Sequence, residues 1–212
     1  MTRAQPSTLT VVILAGGRAS RMGGGDKPLR LLHGVPILSH VIARVARSGR
    51  KLVINANGDP FRFAGFGLPV IADAAQDYPG PLAGILAGLD WAALQGETGD
   101  ILSVAGDCPF IPHDLAERLD QVRKASNQAL ACAGSGGWTH PVIGLWPINL
   151  REPMRAALDA GERKIDRFSA RFGCATADWP SEPYDPFFNV NTPDELIEAE
   201  RLLTLAANRF PT

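Results

Sequence analysis

The chain has 212 residues, 45% hydrophobic and 20% charged, a balance that fits an ordinary globular domain long enough to bury a core. Its formal net charge of −1 argues against a bulk nucleic-acid or membrane-surface binder but allows a local basic pocket. Cys108, Cys132 and Cys174 contain no Cys-x-x-Cys pair, so neither a disulfide framework nor a zinc site is expected.

The residues before Val11 include no long apolar segment of a secretory leader, and no apolar stretch reaches membrane-spanning length, so a cytoplasmic location is expected. Met1–Ser7 reads as loose. Thr8–Leu14, apolar and β-branched, reads as a buried first strand. The stretch after it carries Gly16, Gly17, Gly23, Gly24 and Gly25 together with Arg18, Arg21 and Lys27. Glycines let backbone N–H groups approach a ligand, and the cations supply countercharge, so this is a phosphate cradle at the end of a strand. It is not a P-loop, because Lys27 follows Asp26 and precedes Pro28 rather than Ser or Thr. Nor does it follow the Gly-x-Gly-x-x-Gly dinucleotide pattern, since Gly16 and Gly17 are adjacent.

His33–Pro36 has turn composition. Pro36 then opens an amphipathic helix with Ile37, Val41, Ile42 and Val45 on one face, and Ser48-Gly49 is its expected stop. Lys51–Ala56 and Leu68–Ala72 read as the second and third strands. Asp77–Gly84 is a Pro-Gly-Pro turn leading into a helix that runs to about Gln95. Gly84 and Gly88 share one face of that helix, for close approach of either the sheet or a ligand. Ile101–Ala105 is a fourth strand, and a helix from Pro112 to about Lys124 follows. Alternation of this kind implies a doubly wound parallel sheet.

Gln128–Ala133 and Thr139–Trp146 read as strands around a glycine turn, an antiparallel element in the C-terminal half. Helices are expected at about Leu150–Ala160 and Lys164–Phe172, and a short strand near Cys174–Ala177. Phe187–Asn191 reads as extended. Thr192 begins the last helix, with Pro193 at its first position and Glu195 completing a capping box. With no repeat, linker or low-complexity segment, residues 1–212 read as a single α/β domain, Rossmann-like and mostly parallel.

The four parallel strands end at Gly16-Gly17, Asn55-Ala56-Asn57, Asp73 and Gly106-Asp107. Ligands of open α/β sheets bind outside the carboxyl ends of strands. Each residue alone is open to a blander account, since Asn55 and Asp73 also suit turns and Asp107 also suits a cap before Pro109. Together they deliver a phosphate cradle, an amide and two carboxylates to one rim. A carboxylate beside a polyphosphate needs an intervening cation, which makes Asp107 the candidate magnesium ligand. Asp73 and Asn55 suit a base or ribose. Asn189 and Asn191, two apart on an extended segment, face one way and could bind a second substrate or support the metal site; alternatively Asn191 caps the helix. Cys108 lacks an organised base and reads as a buried filler, and His140, before Pro141, reads as structural.

Leu14-Ala15-Gly16-Gly17, Arg21-Met22-Gly23-Gly24, Asp26-Lys27, Tyr78–Gly84, Asp107 with Pro109, and Asn189-Val190-Asn191-Thr192-Pro193 follow one another in an order that resembles the molybdenum cofactor guanylyltransferase family. That resemblance implies a nucleotide-diphospho-sugar transferase-like fold and transfer of GMP from GTP to the terminal phosphate of molybdopterin, with Mg²⁺ as cofactor and pyrophosphate released. It implies GTP contacts at Leu14, Ala15, Gly16, Lys27, Asn55, Asp73 and Asp107, with Asp107 also holding magnesium. Arg21, Lys27 and Asp107 would be catalytic, by positioning and charge neutralisation rather than by general-base chemistry. Transient contacts with cofactor-synthesis proteins and acceptor apoenzymes are also implied. Rival readings are a cytidylyltransferase or another nucleotidyltransferase with a different phosphorylated acceptor, and a non-catalytic nucleotide-binding regulator.

Overall fold

The structure is a computed structural model that describes residues 9–16, 26–73 and 80–209, with side chains up to Leu205. The N-terminal residues expected to be loose, the glycine-rich stretch from Gly17 to Gly25 with Arg18 and Arg21, and Asp77–Pro79 of the expected Pro-rich turn lie outside the described residues.

The chain runs β1 (Leu9–Leu14), a 3₁₀ turn at Lys27–Leu29, a small ribbon of β2 (Leu31–Leu32) and β3 (Val35–Pro36), then α1 (Ile37–Val45) and β4 (Arg50–Asn55). A 3₁₀ segment at Pro60–Phe66, β5 (Val70–Ile71), α2 (Pro81–Leu94), β6 (Asp100–Ala105) and α3 (Leu115–Ala125) follow. The second half contains β7 (Leu130–Ser135), β8 (Trp138–Pro147), a 3₁₀ turn at Ile148–Leu150, α4 (Arg151–Asp159), α5 (Ile165–Ala170), β9 (Cys174–Trp179) and α6 (Pro193–Arg209). The main sheet has the order β5-β4-β1-β6-β8-β7-β9. Strands β5, β4, β1 and β6 are mutually parallel, β8 runs against both β6 and β7, and β9 is parallel to β7.

Period-two alternation explains the layering. Val11 and Ile13 of β1 face a core shared with Leu38, Val41 and Val45 of α1 and Leu115 and Leu119 of α3. Val12 faces the other way, onto Ile85 and Leu89 of α2 and Met154 of α4. Helix α2 is apolar almost all round because it is sandwiched between the sheet and α4. A third cluster of Leu32, Ile37, Phe110, Val190, Ala199 and Leu202 seats α6 against the ribbon.

The expected elements are present with shifted ends. α1 stops at Val45, where Ala46 is already extended, ahead of the Ser48-Gly49 stop. The third strand shortens to Val70–Ile71, because only Ile54 and Asn55 of β4 pair with it. α3 begins at Leu115, with Pro112 O accepting from its N–H, so Pro112 sits in the approach rather than in the helix. The glycine turn narrows to Gly136-Gly137, whose φ values of +56° and +82° are those of a type I′ hairpin. His33-Gly34 turns the ribbon in the same way, with φ of +50° and +76°. The capping box is altered: Glu195 N–H donates to Thr192 Oγ1, but the Glu195 carboxylate takes the N–H of Asn191 rather than that of Thr192.

Candidate functional site

Register brings the rim together. Leu14 stands opposite Asn55 on one side and Ala105 on the other, and Asn55 stands opposite Ile71. The residues just past these positions, Gly16, Asn57, Asp73 and Asp107, therefore emerge side by side. They line a cleft of about 780 Å³ together with Leu14, Lys27, Asn55, Gly80, Asn189 and Asn191. Three strand spacings separate β5 from β6, roughly 14 Å at about 4.8 Å each, so Asp73 and Asp107 stand at different ends of the cleft and cannot share one ion.

At the β4–β5 end, Asn55 is 4% exposed and donates from Nδ2 to Ile71 O at 3.3 Å and to Asp73 Oδ1 at 2.9 Å. Asn57 closes a reciprocal pair: its Nδ2 donates to Asp73 Oδ2 at 2.7 Å, and Asp73 N–H donates to Asn57 Oδ1 at 2.9 Å. The Asp73 carboxylate is thereby fixed by two amides. Gly84 of α2 lies under Asn55, where a Cβ would come within 2.2 Å of Oδ1, whereas Gly88 lies against Val12. The helix glycines thus divide, one serving the site and the other sheet packing. Gly80, at φ +118°, starts α2 in a conformation that disfavours L side chains, and it lines the cleft with Pro81.

At the centre, Lys27 Nζ donates to Asp107 Oδ2 at 2.9 Å and to Asn191 Oδ1 at 2.5 Å, joining three distant parts of the chain. The pair is largely shielded, with side chains 16% and 17% exposed. Asp107 O accepts from Val190 N–H at 3.0 Å, which pins the Asn189–Asn191 segment beside the carboxylate. Asn189 Oδ1 accepts from the Cys108 thiol. Burial, reinforced by the negative Asp107, pushes that thiol well above its ordinary pKa, so Cys108 is a protonated filler and not a nucleophile. Asn191 directs its side-chain oxygen to Lys27 and lines the cleft. Ala15 is fully buried, its N–H occupied by Asn55 O, which places it beneath the cleft floor. Arg21 lies outside the described residues.

Several contributors were not read as site residues from sequence. Asn57 is one. Arg62 is another, pairing with Asp26 at 3.0 Å and donating to Asn57 O, which ties the end of the glycine loop to the β4 rim. The far wall is the third: Thr139, His140, Pro141, Val142 and Ile143 of β8 line the cleft. Here the register with β7 jumps, Cys132 facing Gly144 and Ala133 facing His140, so residues 141–143 bulge. The bulge is held from below, where Ser103 Oγ accepts from Trp146 Nε1 at 2.8 Å and donates to Val142 O at 2.6 Å. His140 stands at the edge of this bulge and lines the cleft. Pro141, which cannot donate to a ladder, was the available signal.

Among the described residues no cluster of three or more His, Cys, Asp or Glu could hold a metal. Asp107 Oδ2 and Asn191 Oδ1, which converge on Lys27 Nζ, are an all-oxygen donor pair with one anionic member. That pair fits an ion that draws its remaining ligands from phosphate and water, and it does not fit a protein-only cage. No helix is long and apolar enough to cross a membrane among those residues.

The MobA-like NTP transferase domain matches residues 11–173. A molybdenum cofactor guanylyltransferase from Bradyrhizobium sp. (strain ORS 278) is 53% identical over 97% of this chain and 98% of its own length. One from Mesorhizobium japonicum is 42% identical over 91% and 94%. Among solved structures, molybdopterin-guanine dinucleotide biosynthesis protein A from Archaeoglobus fulgidus superposes with a TM-score of 0.71 at 23% identity, covering 93% of this chain and all of that one. CMP:2-keto-3-deoxy-manno-octonic acid synthetase superposes at 0.66 with 15% identity, covering 95% of this chain and all of that one, which extends the likeness to the fold alone.

Proposed function

Because the chain belongs to the MobA-like NTP transferase family, and within it to the molybdenum cofactor guanylyltransferases that transfer GMP from GTP to molybdopterin, we propose how its own residues divide that reaction. The nucleoside lies along the β4–β5 end, where the fixed Asp73 carboxylate accepts from guanine or ribose donors and Asn55 buttresses it. The α-phosphate lies beside Gly16 and the Lys27–Asp107 pair, all of which line the cleft. Arg21 adds positive charge to the triphosphate from the glycine loop. Asp107, with the Asn191 amide beside it, would hold Mg²⁺, which when bound would supply charge neutralisation at the phosphates.

The observation that carries this reading is the Lys27–Asp107–Asn191 cluster at the end of β6, a cation and a metal carboxylate held at one point by residues 80 and 164 positions apart from the lysine. Lys27 pairs with Asp107. With GTP and its metal bound, the Lys27 ammonium would turn to phosphate oxygens, so the pair would serve as a countercharge kept in readiness. A phosphate oxygen of the acceptor attacks the α-phosphorus in line, and the α–β bridging bond breaks to release pyrophosphate. The acceptor oxygen is already ionised, so Lys27 and Asp107 work by positioning and electrostatics, and no side chain need remove a proton. The reaction takes place in the cytoplasm, with transient contacts to the proteins that deliver molybdopterin and receive the product.

Calorimetric titration with GTP, CTP, ATP and UTP, each with and without Mg²⁺, tests the assignment. Magnesium-sensitive selection of GTP is expected. Preference for CTP would move the chain to cytidylyl transfer on the same scaffold, and binding of no triphosphate would overturn the reading.

A further inference from the structure

The β8 wall carries a polar arrangement that nucleotide binding does not use. Ser135 Oγ lies 2.7 Å from Asp185 Oδ1 and 2.7 Å from His140 Nε2. Asp185 Oδ1 also accepts the Phe187 N–H at 2.9 Å, and Ser135 is 2% exposed, so the chain is anchored beneath the cleft surface. The order is Asp–Ser–His, with the serine in the middle and buried. That excludes an acyl-transfer triad, in which the carboxylate orients the histidine and the serine is free to attack.

The arrangement does fix a tautomer. The Asp185 carboxylate only accepts, so the single Ser135 hydroxyl hydrogen points to it. Ser135 can then only accept from His140, and the ring's hydrogen belongs on Nε2. The ring packs 4.9 Å from the Phe187 ring, which fixes its plane. Burial lowers the His140 pKa, with the negative Asp185 opposing, so the ring is neutral at pH 7. Its other nitrogen, Nδ1, then carries a lone pair and has no partner among the described residues, on a side chain that lines the cleft.

Strand order says what meets it. Across the sheet the rim runs from β5 and β4, where the nucleoside sits, through β1 and β6, where the reacting phosphate sits, to β8. A group attached to the attacking phosphate leaves the centre on the β8 side. We infer that His140, oriented by Ser135 and Asp185, is a recognition residue for the acceptor, its Nδ1 accepting a hydrogen bond from an N–H or O–H donor on the ring system that carries the acceptor phosphate. Pro141, Val142 and Ile143 present an apolar surface next to it, suited to the face of a flat heterocycle. The inference rests on the guanylyltransferase reading above.

Two substitutions separate recognition from packing. In His140→Gln the amide end reaches the Nε2 position and keeps a donor to Ser135, but the Nδ1 acceptor is lost. In His140→Asn a carbonyl oxygen can stand in for Nδ1. With purified molybdopterin as acceptor, His140→Gln should raise its KM by about tenfold, the size of one lost hydrogen bond. Its GTP Kd and kcat should stay within about twofold, and His140→Asn should recover most of the loss. Ser135→Ala, which frees the tautomer, should raise the same KM by a smaller factor. An unchanged KM in His140→Gln, or His140→Asn no better than His140→Gln, would overturn the inference while leaving the transfer reaction standing. Failure of the unaltered protein to guanylylate molybdopterin would overturn the underlying reading, and this inference with it.

Discussion

Gly84→Ala is the most quantitative probe of the nucleoside end. The added Cβ would lie 2.2 Å from Asn55 Oδ1 and 2.8 Å from Leu14 Cδ2, both far inside contact distance. Asn55 cannot swing aside without loss, because it is buried and bonded to Ile71 O and Asp73 Oδ1. Overpacking of this kind costs about 1–3 kcal/mol, and losing a hydrogen bond to a carboxylate costs about 1.5–3 kcal/mol. The better helix propensity of alanine returns about 1 kcal/mol. The net loss is about 1.5–5 kcal/mol, a fall in Tm of roughly 5–15 °C at about 3 °C per kcal/mol for a chain of this length. Because Asp73 loses a fixing amide, GTP Kd should rise by about tenfold or more, the equivalent of one hydrogen bond. Gly88→Ala is the control: its Cβ would lie 2.4 Å from Val12 Cγ2, away from the cleft. It should lower Tm similarly and leave GTP Kd within about twofold. Thermal unfolding and calorimetric titration of both variants read the two effects. A Gly84→Ala protein with unchanged Tm and GTP affinity, or a Gly88→Ala protein that loses GTP equally, would refute the division between site and packing glycines.

Lys27→Ala should lower kcat by about 10²–10³, the cost of one preorganised electrostatic partner. A loss confined to acceptor KM would remove Lys27 from the triphosphate. Asp107→Ala should abolish magnesium-dependent turnover and so match the effect of chelation on the unaltered protein, with the fold retained by circular dichroism. Near-normal activity would exclude it as the metal carboxylate. His140 supplies a pH signature. Its folded pKa lies below the ordinary 6.5, so the unfolded chain binds the proton first as pH falls. The stability it contributes is complete above 6.5 and is lost as pH drops from there toward the folded pKa. His140→Gln should flatten that limb in denaturant titrations, and identical curves for the two proteins would show that the imidazole is not held neutral.

The parallel half of the sheet was legible because each of its strands is an apolar run closed by a polar or glycine residue. The rim residues follow from the same pattern. Boundaries slipped where tertiary pairing decides them: β5 is as long as its contact with β4 permits, and α3 waits for Leu115 to bury. The β8 wall was not legible. A bulge depends on which residues of β7 meet which of β8, and on the Ser103 hydroxyl beneath, neither of which leaves a periodic trace. Asp185 and Ser135 are fifty positions apart and have meaning only through the fold. Cys108 was read correctly as a filler, but its thiol also holds Asn189, a role that sequence could not supply.

The antiparallel strand has a consequence for how the molecule assembles. β7 and β8 zip from a two-residue turn, so their pairing closes early and locally. The join between β8 and β6 spans some forty residues and runs only from Asp100–Pro147 to Ser103–Gly144, stopping just below the cleft. Contacts across such a span form late. Within the sheet, the β7–β8 wall and the parallel rim are therefore joined along one short seam, whose last fastening is the Ser103 hydroxyl, while the shared cores join them across both faces. In the proposed reaction, the gap left where the stitching ends is the space in which the two substrates meet. Changes in base preference on one side and in acceptor preference on the other can accumulate independently, provided that the seam is kept.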